Sequence, residues 1–291
     1  MKLLSKIKKI KISRVLLYLA VIALVSFTAL PIVYVISTAF KPIDELFAFP
    51  PKFFVRRPTL QNFTDLFTAL NGSVVPFTRY LFNSVFITAV TVFLTVVVSA
   101  MGAYGLVKHN PKGSGAIMAI VIAALMFSPH VTQIPSYMIV QNLGLLDSYW
   151  ALILPKIAVA YNFFLMERFT RQIPDALIEA CRIDGAGEWR IFWRIVMPLL
   201  KPAWATLIVF SFVSNWNDYF SPLVYINSME MKTLPLALQT ITGGAGVGTL
   251  DMARVGAGVA VSFIMLAPTI IIYLTMQSQI MKTMAHSGIK A

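Results

Sequence analysis

Charged residues, cysteines and histidines are scarce in this sequence. Only 12% of its 291 residues are charged, against roughly 25% in soluble domains, while 58% are hydrophobic. This balance excludes a water-soluble chain, because so apolar a surface requires lipid as its solvent. The single cysteine, Cys181, excludes an internal disulfide. The three histidines lie far apart without metal-ligand spacing, so we expect neither a metal nor a cofactor in this chain.

Acidic residues number 12 against 24 basic ones, which gives a net charge of +12. The basic residues are spread among loops without an aromatic-basic patch, so no nucleic acid partner is expected. A Gly-x4-Gly-Lys-[Ser/Thr] phosphate loop is also lacking, since the nearest stretch, 243–248, is followed by Thr249 where lysine is required. The sequence shows no catalytic triad or carboxylate pair. We therefore expect a chain that is not an enzyme.

Long hydrophobic runs dominate what is present. A helix needs roughly 20 apolar residues to cross the hydrocarbon core. Six segments meet this requirement, and the fourth extends to about Met166: 15–39, 82–106, 116–140, 149–164, 203–226 and 255–276. Pro129 and Pro135 predict a kink or break in the third. The sequence predicts an all-α membrane protein with six transmembrane helices.

The placement of lysine and arginine predicts the orientation. With the N-terminus inside, sixteen lie on inner segments and seven on outer ones, which favours both termini inside. One transmembrane domain, 15–281, then follows a basic cytoplasmic segment, 1–14, and precedes a cytoplasmic tail, 282–291. The domain carries an outer loop, 41–80, and an inner loop, 168–201. Thr59 to Phe63 predict the start of a short helix in the outer loop.

The inner loop 168–201 is too polar to cross lipid and too regular to be a plain linker. Pro174 and Asp175 suit a helix start, and Gly185 and Gly187 allow a left-handed turn. A second helix is predicted from Glu188. Its apolar side chains are expected on one face: Trp189, Phe192, Trp193 and Val196. Either a knob that docks on a cytoplasmic protein or an amphipathic helix lying on the headgroups of membrane lipid fits this pattern.

The loop resembles the EAA loop of ABC importer permeases. Glu179-Ala-Cys-Arg-Ile-Asp-Gly-Ala, followed by Ile195-Val-Met-Pro198, is similar to the pattern of the carbohydrate-uptake, MalG-like group. Phe82-Asn83-Ser84, Trp216-Asn217-Asp218-Tyr219 and Thr233-Leu234-Pro235 resemble further signatures of that group. Cys181 and Met197 depart from the pattern by small or apolar exchanges.

The resemblance implies the fold of a type I, binding-protein-dependent importer, in the inner membrane of a prokaryote, with cytoplasmic EAA coupling helices. Implied partners are a second, MalF-like permease, two ATP-binding subunits that carry ATP and Mg²⁺, an extracytoplasmic solute-binding protein and an oligosaccharide. The residues implied in ATPase coupling are Glu179, Ala180, Cys181, Asp184, Gly185, Ala186, Ile195 and Pro198.

Two further sets are candidate sites. Gly243, Gly244, Gly246 and Gly248 form either a flexible outer loop or, by resemblance, a loop that contacts the binding protein. Polar residues in or near the spans predict a substrate pathway: Lys156, Asn215, Asn217, Asp218 and Tyr219. Snorkelling of Lys156 and contacts between helices are the alternatives for this second set.

Three functions remain open at this stage. A permease subunit of an ATP-driven sugar importer is the first. A stand-alone secondary transporter or channel is the second, although it needs coupling charges or inverted repeats in the spans, and only Lys156 and Asp218 provide charge there. A membrane scaffold without a transport role is the third.

Overall fold

The structure is a computed structural model that describes residues 12–71, 75–242 and 249–288. Within these ranges all regular structure is helical, as expected. The helices are α1 Ile12–Ala39, α2 Ile43–Leu46, α3 Gln61–Asn71, α4 Phe77–Lys108, α5 Ser114–Ala124, α6 Pro129–Asn142, α7 Tyr149–Ile157, α8 Ala160–Thr170, α9 Asp175–Ile183, α10 Glu188–Ile191, α11 Met197–Leu199, α12 Lys201–Trp216, α13 Phe220–Tyr225, α14 Leu234–Thr242 and α15 Thr249–Gly288, with a π-helix Phe192–Val196 and a 3₁₀-helix Met229–Met231.

Three helices are long and apolar enough to cross a membrane alone. They are α1, α4 and α15, with spans at Arg14–Ala39, Phe77–Lys108 and Val255–Met281. Three bent pairs bring the number of possible spans to six: α5 with α6, α7 with α8, and Glu188–Leu199 with α12. A multi-pass membrane protein follows from these lengths and compositions.

The third, fourth and fifth predicted spans differ from straight helices, and the fourth bends by 43° between α7 and α8. α5 and α6 meet at an angle of 111° across residues 125–128, so the break precedes Pro129, which begins α6. Pro135 lies inside α6 without ending it. The predicted span 203–226 also breaks, because α12 ends at Trp216 and α13 starts at Phe220. Hydropathy detects apolar length but does not register these changes of direction.

The chain divides into two compact units. One comprises Met1–Thr68 and Ala245–Phe263, and the other comprises Ala69–Gly244 and Ile264–Ala291. In the first unit, the rings of Phe40, Phe63 and Phe263 lie 5.5–5.8 Å apart. The amide of buried Asn62 donates to the backbone carbonyls of Ala39 and Lys41 at 3.0 and 2.7 Å. These bonds fix the chain where α1 ends.

Two further features order the first unit. The predicted helix after Thr59 is present as α3, and the Thr59 hydroxyl accepts the Gln61 N–H at 3.1 Å. The carboxylate of Glu45 accepts the backbone N–H groups of Arg56 and Arg57. The Arg56 N–H contributes most to holding the Glu45 pKa below its usual range. The residues between α2 and α3 are thereby tied to α2.

In the second unit, α4 packs against α7, α8 and α12. Its central face buries small and hydroxyl side chains, among them Thr91, Thr95, Ser99, Ala100 and Ala103. Small side chains let helices approach closely in membranes, where packing rather than water exclusion drives association. The opposite face of α4 exposes Phe82, Val85 and Phe93, which suits contact with lipid or another membrane subunit. α4 is thus the central helix of this unit.

Candidate functional site

The first half of the inner loop is α9 with a glycine turn. α9 starts after Pro174, and Gly185 follows its end with φ of +77°. The Gly185 N–H donates to the Arg182 carbonyl and the Ala186 N–H to the Cys181 carbonyl, both at 3.0 Å. These two bonds form a Schellman motif, which requires a left-handed residue. The turn predicted at Gly185 is therefore present, whereas Gly187 keeps an ordinary φ of −70°.

The second half of the loop corrects the predicted aromatic stripe. Phe192 and Val196 are buried, but Trp189 and Trp193 are exposed by 64% and 44%. Residues 192–196 form a π-helix, whose hydrogen bonds span five residues instead of four. Consecutive positions such as Phe192 and Trp193 also point about 100° apart on a helix. The four side chains therefore divide between the core and the surface.

Buried apolar residues hold both halves of the loop against the transmembrane helices. Ile173 and Ile178 from the first half, and Ile191 and Phe192 from the second, join one core cluster. α4 contributes Val96, Ala100, Ala103 and Tyr104 to it, and α12 contributes Ala203 and Leu207. Cys181 and Ala186 are partly buried against the same cluster. The loop is therefore a packed part of the second unit.

Polar contacts tie the loop to the end of α4 at two points. The Lys108 ammonium contacts the Asp175 carboxylate at 2.7 Å and donates to the Ile173 carbonyl. The Tyr104 hydroxyl donates to Glu188 Oε2 at 2.6 Å, while Arg182 Nε donates to the other oxygen, Oε1, at 2.8 Å. Glu188 thus joins α9, α10 and α4. No sequence spacing signals these ties, because their partners lie 67 and 84 residues apart.

Five of the eight residues implied in coupling lie on the outside of this anchored loop. Glu179, Ala180, Asp184, Gly185 and Pro198 are exposed, and Cys181, Ala186 and Ile195 are half-buried. Within the described ranges, Glu179 and Asp184 have no ion-pair partner. Leu177 and Ile183 are also exposed, by 46% and 86%. The result is a rigid knob with free carboxylates and apolar side chains on its surface.

The candidate pathway residues lie where α12 ends. Trp216 is buried, and its indole N–H donates to the Met265 carbonyl at 2.8 Å. The Asn215 amide donates to the Ser211 carbonyl at 2.6 Å, and its buried Oδ1 has no partner in the described chain. Asn217 is exposed and donates to the Val213 carbonyl, and Tyr219 is 46% exposed. Of the five candidate pathway residues, Asn217 and Tyr219 are therefore the exposed ones.

Lys156 and Asp218 form an ion pair within the chain. Their side chains are 24% and 17% exposed. The other carboxylate oxygen of Asp218 accepts the N–H groups of Phe220 and Ser221 at 3.0 and 3.1 Å, which caps the start of α13. This ion pair argues against two interpretations of Lys156, as a side chain that snorkels to the membrane surface and as an unpaired cation that binds substrate. It joins α7 to the break that follows α12.

The glycines of the candidate binding-protein loop, Gly243, Gly244, Gly246 and Gly248, lie outside the described residues. In the described part of the chain, no group of three or more His, Cys, Asp or Glu side chains is arranged to hold a metal ion.

The second unit thus combines bent apolar helices with an anchored helical loop that exposes charged and apolar side chains. Residues 96–284 match the family described as "Binding-protein-dependent transport system inner membrane component". The chain belongs to this family, which confirms the resemblance seen in the sequence. Members of the family are membrane components of transport systems.

Relatives and a solved structure extend this likeness over most of the chain. This chain is 30% identical to the polygalacturonan/rhamnogalacturonan transport system permease protein YtcP of Bacillus subtilis (strain 168), and the match covers 90% of this chain and 92% of YtcP. It is 32% identical to the arabinooligosaccharides transport system permease protein AraQ of the same organism, over 80% and 79%. A crystal structure of a bacterial ABC transporter that imports the acidic polysaccharide alginate shares the fold, with a TM-score of 0.77, 23% identity and coverage of 91% and 96%.

Proposed function

We propose that this chain is one of two permease subunits of an ATP-driven importer of oligosaccharides. Two cytoplasmic ATPase subunits drive it, and an extracytoplasmic binding protein delivers the sugar. The anchored loop 168–201 carries this proposal, because its surface presents unpaired carboxylates and apolar side chains on a rigid base. Such a surface fits a groove on a partner protein better than a layer of mobile headgroups.

The loop suits the transmission of rigid-body motion. Its core residues pack on α4 and α12, and Lys108 and Tyr104 hold it at two separate points. A displacement of the knob therefore moves these helices with it, which is the kind of motion that alternating access requires. The chain has no phosphate loop of its own, so the motor belongs to a different subunit that holds ATP and Mg²⁺.

We infer the orientation of the chain in the membrane from its charge distribution. The inner loop, the N-terminal segment and the C-terminal tail carry most of the lysines and arginines, which favours their cytoplasmic location. The knob then faces the compartment that contains ATP. The exposed apolar face of α4 remains available for lipid and for a second, MalF-like permease.

Oligosaccharides are the substrate class that the relatives support. The names of YtcP and AraQ refer to an acidic and a neutral saccharide respectively. Because Asp218 neutralises Lys156, this lysine gives no reason to prefer an acidic sugar. Among the candidate pathway residues, Asn217 and Tyr219 are the exposed amide and aromatic groups that suit contact with a sugar.

The test is charge reversal on the knob in the assembled transporter. Glu179→Lys is expected to abolish co-purification of the ATPase subunits and sugar-stimulated ATP hydrolysis, while membrane insertion is retained. Lys112→Glu, a charge reversal at an exposed residue outside the loop, is the control and retains both. Normal coupling in Glu179→Lys would refute the docking role.

A stand-alone transporter is distinguished by reconstituting the purified chain alone in liposomes. Sugar uptake without any ATPase subunit would overturn the proposal. ATP hydrolysis by the complete complex, measured with a panel of neutral and acidic oligosaccharides, then identifies the substrate.

A further inference from the structure

A fully buried amide lies near the start of α4, at the end away from the loop 168–201. Asn83 Nδ2 donates to the backbone carbonyls of Glu230 and Lys232 at 2.8 and 2.9 Å. Its Oδ1 accepts the hydroxyl of Tyr149 at 2.8 Å. Both donors and the acceptor of this amide are thus occupied, and none of its surface is exposed.

The neighbouring residue extends the contact. Ser84, also buried, accepts the backbone N–H of Leu234 through its hydroxyl oxygen at 2.7 Å. Arg79, one turn earlier, donates to the Glu230 carbonyl and to the Tyr149 hydroxyl, each at 3.3 Å. We call Arg79, Asn83 and Ser84 with their partners on residues 230–234 the clamp.

The clamp joins two segments that the sequence shows only as separate signatures. Phe82-Asn83-Ser84 lies at the start of a span, and Thr233-Leu234-Pro235 lies about 150 residues later. The segment 226–233 is irregular apart from the 3₁₀-turn Met229–Met231, so its backbone carbonyls need partners from elsewhere. The Asn83 amide is the hydrogen-bond donor for two of these carbonyls. α14 begins at Leu234, the last residue of the clamp.

α4 connects the clamp to the inner loop without interruption. Its 32 residues span about 48 Å at 1.5 Å per residue. Unlike α1 and α15, α4 has no proline inside it. Tyr104 and Lys108, at its other end, contact Glu188 and Asp175 of the inner loop. Without a proline kink, a helix that is fixed at both ends can carry a displacement from one end to the other.

We propose that Asn83 and Ser84 are positioning residues that couple the docking of the binding protein to α4 and thereby to the inner loop. The clamp holds residues 230–234 on α4, so a force applied to this segment by the binding protein is carried along the helix. The proposal rests on the proposed function, because that function places residues 230–234 on the outer face.

The experiment measures ATP hydrolysis by the complete reconstituted transporter, with the sugar-loaded binding protein titrated from zero. Asn83→Ala is expected to leave the basal rate unchanged. The concentration of binding protein at half-maximal stimulation should rise at least about 5-fold, the lower end of typical coupling between sites. Ser84→Ala, which removes one acceptor, shifts it in the same direction by less.

Thr91→Val is the matched control. Thr91 is buried on the same helix, and its hydroxyl has no partner in the described chain, so the change keeps the shape and removes no bond. Its titration should match the wild type. Hydrogen exchange of residues 230–236 checks that Asn83→Ala has opened the clamp.

Unchanged stimulation in Asn83→Ala, together with faster exchange of residues 230–236, would overturn the inference. If Asn83→Ala fails to assemble, the titration of Ser84→Ala decides in its place. A wild-type transporter that the binding protein does not stimulate would instead refute the proposed function, so the two failures are distinguishable.

Discussion

The inner loop and the break after α12 contain the two main sets of polar residues expected to be functional, and they differ in where their partners lie. On the loop, Glu179 and Asp184 are exposed and have no ion pair within the described chain. At the break, Lys156 and Asp218 are paired with each other. The loop therefore has a surface suited to binding another protein, whereas the charged residues at the break find their partners within this chain.

The difference also concerns what each region does to the helices around it. The loop is fixed to α4 by polar contacts of Asp175 with Lys108 and of Glu188 with Tyr104. The break joins α7 to α13 through one largely buried ion pair that also caps a helix. Losing a contact on the loop should therefore affect coupling between subunits, and losing the pair should affect the stability of this chain.

Breaking the ion pair should have the largest effect. Lys156→Met leaves the Asp218 carboxylate without its counter-ion, which costs about 3–5 kcal/mol for a buried pair. Unfolding of the purified complex in denaturant is the measurement. The double variant Lys156→Met/Asp218→Asn removes both charges and should recover most of the loss. Equal destabilisation of the single and the double variant would show that the pair is not the cause.

The turn at Gly185 tests the loop side of the comparison. Gly185→Val places a β-branched residue at a φ of +77°, which costs roughly 1–2 kcal/mol and disfavours the turn. Co-purification of the ATPase subunits should fall sharply. Gly185→Asn should be tolerated, because asparagine adopts this conformation and space around the glycine is open. If the two variants bound the ATPase subunits equally well, docking would not depend on the left-handed turn at Gly185.

The anchor between the loop and α4 should have a smaller effect on docking of the ATPase subunits than the turn at Gly185. Tyr104→Phe removes the hydroxyl that donates to Glu188, a hydrogen bond to a charged group worth about 1.5–3 kcal/mol. Arg182 still holds the other carboxylate oxygen, so part of the anchor remains. We expect ATP hydrolysis to continue while sugar uptake per ATP falls. Tyr18→Phe, on the exposed α1, is the control and should match the wild type.

Local patterns predicted much of this molecule. Hydrophobic length found α1, α4 and α15, and the glycine after a helical run found the left-handed turn at Gly185. These signals act over a few neighbouring residues, so one sequence is enough to detect them. The EAA pattern likewise lies in one short stretch, 179–198.

Contacts between distant residues could not be predicted in the same way. Asp218 was recognised as a polar residue near a span, but its partner Lys156 lies 62 residues away. Trp189 and Phe192 have similar hydrophobicity, yet tertiary packing buries only the second. The break at residues 217–219 follows from the cap that Asp218 provides to α13, and hydropathy does not report such a cap.

The smallest effect on stability is expected at Asn217. A change in sugar uptake caused by its substitution can therefore be told apart from an effect of unfolding. Its exposed amide makes one bond to a helix carbonyl, so Asn217→Ala should change unfolding by less than about 0.5 kcal/mol. If it lines the sugar pathway, the sugar concentration at half-maximal uptake still rises. Asn215→Ala is the matched comparison, because its amide is half-buried and should cost more stability. Unchanged uptake in Asn217→Ala would remove this residue from the pathway and leave Tyr219 as the accessible candidate at the break.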